Sequence, residues 1–498
     1  MQARPVSSSK PGALSQDAVD PRAPECPDIA RCISVLIPVF NEEEYVTAIL
    51  ERVLAAPLPA GFTLDMIVVD DGSSDSSFDL IEEFCQVHPE VARCARHSRN
   101  LGKGAAVRTA VELARGEYCI IQDSDLEYNP QDYMALLQPL IDGAADVVYG
   151  SRFASSNRRR VLYFWHEVAN RFLTTLCNIA ADLNLTDVET CYKAFRTPLL
   201  RSIPLRSNRF GFDPEITIKV AKRQARVYEV PITYEGRTYA EGKKIGMGDA
   251  FTILGVILRY WLTSDLYKDP GAEILDAFAI APRFNAWMAS VIQPLLGDSV
   301  LEIGAGMGNL TRHLARRRKR YIASDIDLEH LSRLATRLRH LVQVEVRICD
   351  LTVPENFESL RDAVDTVVCL NVLEHVSDDL AALGNMARAL RSGGRLIVLV
   401  PHGQNLFGSL DEVLGHFRRY SHQQLRECLS NAGFECEQIL NFNRVSRPAW
   451  YINSRILRRS RISRLQMSIF DRMVWLWHRL DRWLPWPPTS IIAIARKP

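Results

Sequence analysis

Residues 33–71 read ISVLIPVFNEEEYVTAILERVLAAPLPAGFTLDMIVVDD, an apolar strand, an amphipathic helix over 43–55 and a second apolar strand. Two more strands are predicted at YCIIQDSD (118–125) and ADVVYGSR (145–152), and a helix is predicted over 103–114. Apolar strands separated by helices indicate a buried parallel sheet with helices on both faces. The first half of the chain is therefore an α/β domain.

The alternation lapses between residues 249 and 294 and then begins again. Strands are predicted at SVLEIGAG (299–306), RYIASD (320–325), VQVEVRICD (342–350), DTVVCLN (365–371), RLIVLVP (395–401) and TSIIAIARK (489–497). The chain therefore divides into a leader (1–30), an α/β domain (31–250), a helical connection (251–284) and a second α/β domain (285–498). The second domain carries a basic, Trp-rich helical insertion at about 444–486.

Composition limits the class of protein. Of 498 residues, 47% are hydrophobic, and 60 Lys and Arg against 59 Asp and Glu give a net charge of +1, so no global field favours nucleic acid. The apolar stretch 251–262 is too short to span a membrane and contains Arg259. The first 30 residues lack an apolar core and predict a disordered leader, not a secretory signal. Eleven cysteines without a CxxC pair favour a reducing, intracellular location.

An acidic cluster, Asp123-Ser124-Asp125, follows a predicted strand of the first half. Carboxylates two residues apart on an extended chain project the same way and can share one hard cation such as Mg²⁺ or Mn²⁺. Glu127 is a possible third ligand. A solvated acidic turn is the alternative, so the interpretation depends on the surrounding motifs.

Those motifs form an ordered set. IPVFNEEE, VVDDGSSD, NLGKGAAV, QDSDLEYNP, VVYGSRF, DVETCYKAFR, VPITYEGR and GKKIG occur in this order over about 32–250. Together they resemble glycosyltransferase family 2, which has the GT-A fold, and within it the polyprenyl-phosphate (dolichol-phosphate) mannose and glucose synthases. The resemblance implies a nucleotide-sugar donor, UDP- or GDP-linked, and a polyprenyl-phosphate-type acceptor.

The resemblance also assigns residues. It implies Pro38, Glu42 and Asp71 against the nucleoside, and Asp123, Asp125 and Glu127 on the metal, although Gln is frequent in that branch where Glu127 stands. Arg152 and Arg237 are implied phosphate contacts. Further candidate contacts with the substrates are Lys103, His166, Asn170, Lys243 and Lys244. A phosphomonoester acceptor is already an anion, so no strong general base is required, and direct attack would invert the anomeric carbon.

The second half opens on the turn ExGxGxG, formed by Glu302, Gly304, Gly306 and Gly308, with Asp325 at the end of the next strand. An acidic residue about 20 positions beyond a glycine turn is typical of sites that bind a ribose. This form of the turn resembles class I S-adenosylmethionine-dependent methyltransferases, which have a Rossmann-like fold. The resemblance spans about 283–498 and also implies donor contacts at Asp350 and Asn371.

The methyl acceptor is less defined. Glu374 and His375 are interpreted either as acid–base groups or metal ligands, or as a wall of the donor pocket. The segment GHFRRY (415–420) places His416, Arg418 and Arg419 together. These side chains either bind a phosphate or sugar, or form a structural corner before the following helix.

Two segments suggest membrane contact. SSNRRR (155–160) followed by VLYFWHEVANRF is basic and aromatic, which fits either an anionic bilayer or a helix covering the sheet. Residues 444–498 hold twelve Arg and Lys, two Asp and five of the eight Trp. There, a face at helical spacing predicts either an interfacial helix or an inserted packing helix, and its residues are Phe470, Met473, Val474, Trp477, Leu480 and Leu484.

Joining both activities in one chain favours sequential work on one glycan or glycolipid, through effective concentration. We therefore expect a bifunctional enzyme, peripheral at the cytoplasmic face of a membrane. The alternatives are sugar transfer to a non-lipid glycan or a protein, and a domain that serves only as a nucleotide-binding scaffold.

Overall fold

The computed structural model describes residues 31–154, 164–236, 247–263, 265–268, 273–274, 277–278, 281–338, 340–462 and 464–498. The chain divides into two compact units, Met1–Lys268 and Asp269–Pro498, which we call the first and second unit. Each unit is built on a seven-stranded sheet of its own.

The first sheet has the order β3-β2-β1-β4-β6-β5-β7. Its strands are β1 (Cys32–Val39), β2 (Thr63–Asp70), β3 (Ala92–Arg96), β4 (Tyr118–Ile121), β5 (Val147–Ser151), β6 (Lys193–Arg196) and β7 (Val227–Pro231). Strands β1 to β4 are parallel, so their carboxyl ends meet at one edge of the sheet. The predicted parallel sheet is found in β1 to β4, but the sheet as a whole is mixed, because β6 lies antiparallel between β4 and β5.

Helices connect these strands. They are α1 (Val46–Leu54), α2 (Ser77–Val87), α3 (Lys103–Leu113), α4 (Tyr133–Ile141), α5 (Phe164–Ala181), α6 (Thr197–Ser202), α7 (Phe212–Lys222) and α8 (Met247–Leu262). Helix α8 packs on the core of the first unit through Ile253, Ile257 and Tyr260. Lys222 donates to the carbonyls of Trp261 and Thr263 at 2.8 Å, where a cation complements the helix C-terminus. The first unit therefore extends to Lys268, beyond the boundary expected at residue 250.

The second sheet has the order β10-β9-β8-β11-β12-β14-β13. Its strands are β8 (Ser299–Ile303), β9 (Arg320–Asp325), β10 (Val344–Ile348), β11 (Val364–Leu370), β12 (Leu390–Pro401), β13 (Glu435–Phe442) and β14 (Ser490–Arg496). β14 is antiparallel to both of its neighbours, and the other pairs are parallel. The carboxyl ends of β8 to β11 therefore form one edge.

The helices of the second unit include short elements. They are α9 (Pro282–Ile292), α10 (Thr311–Leu314), α11 (Leu328–Leu338), α12 (Asp379–Ala389), α13 (Ser409–Leu414), α14 (His422–Asn431), α15 (Arg447–Tyr451), α16 (Arg464–Arg472) and α17 (Val474–Leu480). A 3₁₀ turn covers Leu373–His375 and a π-helical turn covers Ile452–Ile456. The elements from α15 to α17 are inserted between β13 and β14.

The core of the second unit follows the two-residue period of its strands. Leu396 and Val398 belong to one buried cluster, whereas Ile397 and Leu399 belong to another. Successive side chains of a strand point to opposite faces, so each cluster fills one face of the sheet. Both faces are covered, as the apolar strands predict, and both units have the expected α/β class. Among the described residues, no helix has the length and hydropathy needed to cross a bilayer.

Candidate functional site

The acidic turn of the first unit is anchored by the buried side chain of Gln122. Its amide donates to the backbone carbonyl of Asp123 at 2.8 Å, and its carbonyl oxygen accepts from the hydroxyls of Tyr133 and Tyr192 at 2.8 and 2.7 Å. Because these partners lie in the core, the turn begins from a rigid base. Asp123 and the residues after it therefore sit at the edge where β1, β2 and β4 end.

Lys103 lies against the acidic turn. Its ammonium contacts both carboxylate oxygens of Asp123, at 2.7 and 2.9 Å. Burial opposes ionisation of Lys103, but the charge of Asp123 raises its pKa well above the ordinary value. Lys103 therefore stays protonated beside Asp123, and its contact with a substrate stays a prediction.

The glycine turn 100–104 is held by Asp71. Asp71 accepts from the backbone N–H of Leu101 at 3.0 Å and of Gly102 at 2.6 Å, and contacts Nδ1 of His97 at 2.7 Å. Burial favours the neutral form of Asp71, but these contacts favour the charged form and lower the pKa of Asp71. Gly102 has φ +100°, and a Cβ there would lie 2.3 Å from the carbonyl oxygen of Asn208. Asp71 thus positions the turn, and its implied contact with a nucleoside stays a prediction.

The ends of β1 and β2 are tied together by side chains. The backbone N–H of Asn41 donates to Ser73 Oγ at 2.9 Å, and the backbone N–H of Ser74 donates to Asn41 Oδ1 at 2.9 Å. Asn41 adopts φ +52°, a conformation that Asn tolerates. Pro38 is buried in β1, and Glu42 follows Asn41, 9% exposed. The structure therefore brings Pro38, Glu42 and Asp71 to one edge, as the motifs predict.

Arg152 belongs to a network with Asp187. Its guanidinium contacts both oxygens of that carboxylate at 2.7 and 2.8 Å, and the amide of Asn170 donates to Asp187 at 3.2 Å. The ring of Tyr234 lies 5.2 Å from the guanidinium, and the Tyr234 hydroxyl donates to Glu127 at 2.8 Å. Glu127, Arg152 and Asn170 are therefore connected. Asp187 and Tyr234, which the sequence did not single out, make the connections, although both lie in motifs of the resemblance.

Some candidates are not located by the structure. Arg237, Lys243, Lys244 and the side chain of His166 lie outside the described residues, as does the basic segment 155–160. Their roles stay predictions.

The glycine turn of the second unit follows β8, beside the end of the neighbouring strand β9. Gly304, Gly306 and Gly308 all have positive φ, and a Cβ on Gly306 would meet no atom within 4 Å. Asp325 accepts from the backbone N–H of Gly306 at 2.8 Å and of Asp327 at 3.0 Å. Burial favours the neutral form of Asp325. The two hydrogen bonds and His330 favour the charged form, and the pKa of Asp325 is lowered. The turn is thus open above Gly306 and bordered by an ionised carboxylate.

The other predicted donor contacts lie at the ends of the neighbouring strands. Asp350 follows β10 and accepts from the backbone N–H and hydroxyl of Thr352 at 2.8 and 2.7 Å. Asn371 follows β11, is exposed and has φ +54°. A Cβ on Gly304 would lie 2.3 Å from Val372. The segment after β11 therefore packs directly on the glycine turn.

Glu374, His375 and His416 form a cluster beside this turn, with ligand atoms within 4.8 Å of one another. Burial raises the pKa of Glu374 to about 8. Burial and His416 lower the pKa of His375 to about 4, so its ring is neutral near pH 7.

The two arginines of GHFRRY have internal partners. Arg418 contacts Asp379 at 2.9 Å, whereas Arg419 is buried and contacts Asp411 at 2.8 Å. The Tyr420 hydroxyl also donates to Asp379, at 3.0 Å. These bonds agree with the structural-corner interpretation of the segment, and substrate contact by Arg418 and Arg419 stays a prediction.

Comparison with known proteins agrees with both folds. Residues 34–203 match the family model "Glycosyl transferase family 2", and residues 272–439 match "Methyltransferase domain". The chain joins a family 2 glycosyltransferase domain to a methyltransferase domain. We use these two names below for the first and second unit.

Curated relatives match the glycosyltransferase domain. An undecaprenyl-phosphate 4-deoxy-4-formamido-L-arabinose transferase of Aeromonas hydrophila is 27% identical over 43% of this chain and 63% of its own length. A dodecaprenyl-phosphate galacturonate synthase of Rhizobium johnstonii is 26% identical over 45% of this chain and 64% of its own length. The chain thus spans less than two thirds of either relative.

Solved structures match each domain at low similarity. Glucosyl-3-phosphoglycerate synthase from Mycobacterium tuberculosis, in complex with Mn²⁺, UDP and phosphoglyceric acid, has TM-score 0.37 and 19% identity, covering 47% of this chain and 80% of that one. A putative methyltransferase from Bacillus halodurans has TM-score 0.31 and 18% identity, covering 42% of this chain and 97% of that one.

The Trp-rich insertion of the methyltransferase domain was predicted to be either an interfacial helix or an inserted packing helix. Val474 is buried, and Phe470 and Trp477 pack on the core that contains Phe284 and Trp287. Phe284 and Phe470 have ring centroids 5.7 Å apart. The predicted apolar face is thus mainly a packing face, the alternative drawn from the sequence, although its member Leu480 is exposed. Other exposed apolar side chains of the insertion lie outside that face: Leu465, Ile469, Trp475 and Trp483.

Proposed function

We propose that the chain is a bifunctional enzyme. The glycosyltransferase domain transfers a sugar, with inversion, from a UDP- or GDP-sugar to a polyprenyl-phosphate-type lipid, and it uses Mg²⁺ or Mn²⁺. The methyltransferase domain transfers a methyl group from S-adenosylmethionine to an oxygen atom of a glycan or glycolipid. The chain covers 63% and 64% of the length of the two curated relatives, so the activities of those proteins are only proposed for this chain.

The acidic turn is the observation that carries the first half of the proposal. Asp123, Asp125 and Glu127 offer carboxylate oxygens, the ligands that Mg²⁺ and Mn²⁺ prefer, at the edge where β1, β2 and β4 end. Glu127 also borders a cavity of about 390 Å³. The oxygen chemistry of this donor set therefore suits a divalent ion, which when bound would offset charge on the departing nucleoside diphosphate.

The chain's own residues supply the remaining charge. Lys103 is held protonated beside Asp123, and Arg152 is oriented by both oxygens of Asp187. Fixed charges of this kind stabilise a developing phosphate charge without reorganisation. An acceptor phosphate is already anionic, so the step needs no general base.

Helix α5 supports a lipid acceptor. Phe164, Trp165, Val168, Phe172 and Ile179 are all exposed, and most of them recur at helical spacing along one side. The same helix carries Asn170, which donates to Asp187. One side of α5 is therefore apolar and exposed, while Asn170 reaches the Arg152 network. A helix of this kind lies in a membrane interface and brings the lipid phosphate to the site.

The open glycine turn supports the second half. Gly306 leaves space for a ligand, and Asp325 can accept hydrogen bonds from ribose hydroxyls. The residues therefore fit S-adenosylmethionine, which when bound supplies a methyl group on a positively charged sulfur.

The decisive experiment incubates the purified chain with Mn²⁺, a panel of UDP- and GDP-sugars and a short polyprenyl phosphate, and detects products by mass. We expect a lipid-linked sugar from one donor and no product with chelator. Repeating the reaction with S-adenosylmethionine should add 14 mass units to that lipid-linked sugar, or to a glycan made from it, a change of about one methylene. Transfer only to a soluble glycan or a protein would favour the alternative acceptor and contradict the lipid proposal.

A further inference from the structure

Three side chains of the methyltransferase domain meet beside the donor turn. Glu374 and His375 lie in the 3₁₀ turn after β11, and His416 lies just after α13. The backbone N–H of Phe417 donates to the carbonyl of Glu374 at 2.8 Å, which ties the two segments together. Their ligand atoms lie within 4.8 Å of one another, and ligands bound at about 2.1 Å to one ion can be at most about 4.2 Å apart. The three ligand atoms thus need only a small movement toward one another to bind one ion.

The carboxyl group of Glu374 is the most unusual member. Its side chain is fully buried, and neither oxygen accepts a hydrogen bond from another described residue. A buried carboxyl group without hydrogen bonds is costly in either protonation state, and buried polar groups are normally hydrogen-bonded or coordinate metals. Packing alone therefore does not explain why a glutamate occupies position 374.

His416 is oriented from behind. Its Nδ1 contacts Asp411 Oδ1 at 2.9 Å, and Arg419 Nε donates to the same oxygen at 2.8 Å. Metal-binding histidines commonly bond a carboxylate through one ring nitrogen and the metal through the other. Nε2 of His416 is therefore the nitrogen available to the cluster. The ring of His375 lies 4.7 Å from that of His416 and nearly perpendicular to it.

We propose that Glu374, His375 and His416 bind one divalent transition-metal ion. Two imidazoles and a carboxylate suit Zn²⁺, Fe²⁺ or Mn²⁺, and three protein ligands leave positions open for another oxygen. This ion is separate from the one proposed for the glycosyltransferase domain.

The position of the cluster indicates a role, which rests on the proposed methyl transfer. Val372, in the same segment as Glu374, packs on Gly304 of the donor turn. A hydroxyl of the acceptor bound at an open position would lose its proton to solvent more readily. Its oxygen would then form a bond to the methyl carbon while the methyl–sulfur bond breaks, leaving the electron pair on sulfur.

The test measures metal binding in the full chain carrying Asp125→Ala, which removes the proposed site of the other domain. After incubation with Zn²⁺ or Mn²⁺ and gel filtration, metal analysis should find about one ion per chain. We expect Glu374→Gln and His416→Ala, each added to Asp125→Ala, to weaken binding more than about tenfold. The matched control is His422→Ala, a histidine outside the cluster, which should keep the ion.

Binding of S-adenosylmethionine, measured by calorimetry on the same samples, separates the two proposals. Glu374→Gln retains the size of the side chain, and retained donor binding by this variant shows that the domain is folded. Donor binding without a stoichiometric metal, or a metal that survives both cluster variants, would overturn the metal site alone. A metal without donor binding would instead contradict the proposed function.

Discussion

Glu302, the first residue of the glycine-turn motif, does not face solvent. Its carboxyl group is buried, and Oε2 accepts from the hydroxyls of Thr311 and Tyr321 at 2.7 and 3.0 Å. Burial raises the pKa of Glu302 to about 7 in spite of these bonds. Glu302 therefore supports the donor turn from beneath, which the motif alone did not reveal.

The pKa of Glu302 predicts a pH-dependent stability. In the unfolded chain the carboxyl group ionises near 4.5, whereas the folded chain keeps the proton until about pH 7. The folded chain binds more protons in that interval, so the wild type should lose stability relative to Glu302→Gln as pH rises from 5 to 7. The change over this interval should be on the order of 2 kcal/mol.

Tryptophan fluorescence can follow this change, because six of the eight Trp lie in the methyltransferase domain. The thermal midpoint should be measured from pH 5 to 8 for both chains, with the exposed Glu358→Gln as the control for charge removal. Parallel pH curves for wild type and Glu302→Gln would show that Glu302 titrates at its ordinary pKa.

Among the elements, helix α5 shows how one helix can serve both the surface and the site. Its outer side is apolar and exposed, and its Asn170 reaches Asp187. The helices of the Trp-rich insertion behave differently, since their predicted apolar face packs on α9 and on the core of the domain. Helical spacing identifies an apolar face in both cases, but only the neighbouring elements determine what that face contacts.

We expect Trp165→Ser with Phe172→Ser to weaken binding to anionic phospholipid vesicles. Each of these side chains contributes about 1.5–3 kcal/mol when buried, so the loss should be at least about tenfold. Vesicle sedimentation measures it, with Val87→Ser as the control, another exposed apolar residue of the same domain. Equal sedimentation of the double variant and the control would exclude α5 as the contact.

A second prediction at this level concerns Trp475 and Trp483, exposed on the insertion with Arg479 and Arg482 against their rings. Replacing both tryptophans by serine should reduce vesicle binding further when combined with the α5 variant. Exposed Val342→Ser of the same domain is the control. An unchanged affinity would restrict the membrane contact to the glycosyltransferase domain.

The molecule as a whole consists of two units with separate sheets and separate cores. A ligand site at the edge of one sheet depends on the strands of that sheet. The two proposed activities should therefore fail independently when either site is changed.

Asp125→Ala should abolish sugar transfer and leave the affinity for S-adenosylmethionine unchanged. Gly306→Arg should do the reverse, because its side chain fills the open turn. Gly433→Arg is the matched control, since Gly433 also has positive φ and a Cβ there would meet no atom within 4 Å. Product mass and calorimetry provide the two measurements, and loss of both activities in either variant would show that the sites depend on each other.

Local sequence pattern predicted the α/β class of both units and the placement of several motif residues at strand ends. Apolar strands alternating with helices predict α/β units, and motifs at strand ends must meet where parallel strands end together. Asp123, Asp71, Gly306 and Asp325 could therefore be placed at sheet edges from the order of motifs and strands alone. The antiparallel β6 could not be predicted, because its direction depends on strands that are distant in the chain.

The contacts that define each site depended on the folded chain. Lys103 meets Asp123 and His416 meets Glu374 because separate segments pack against each other, and no spacing along the chain encodes such a distance. Burial has the same origin: the surrounding core, not the residue type, raises the pKa of Glu302 and leaves Glu374 without a hydrogen-bonded neighbour among the described residues. Sequence motifs thus identify the chemistry that is available, and packing sets the charge state and the partners of each group.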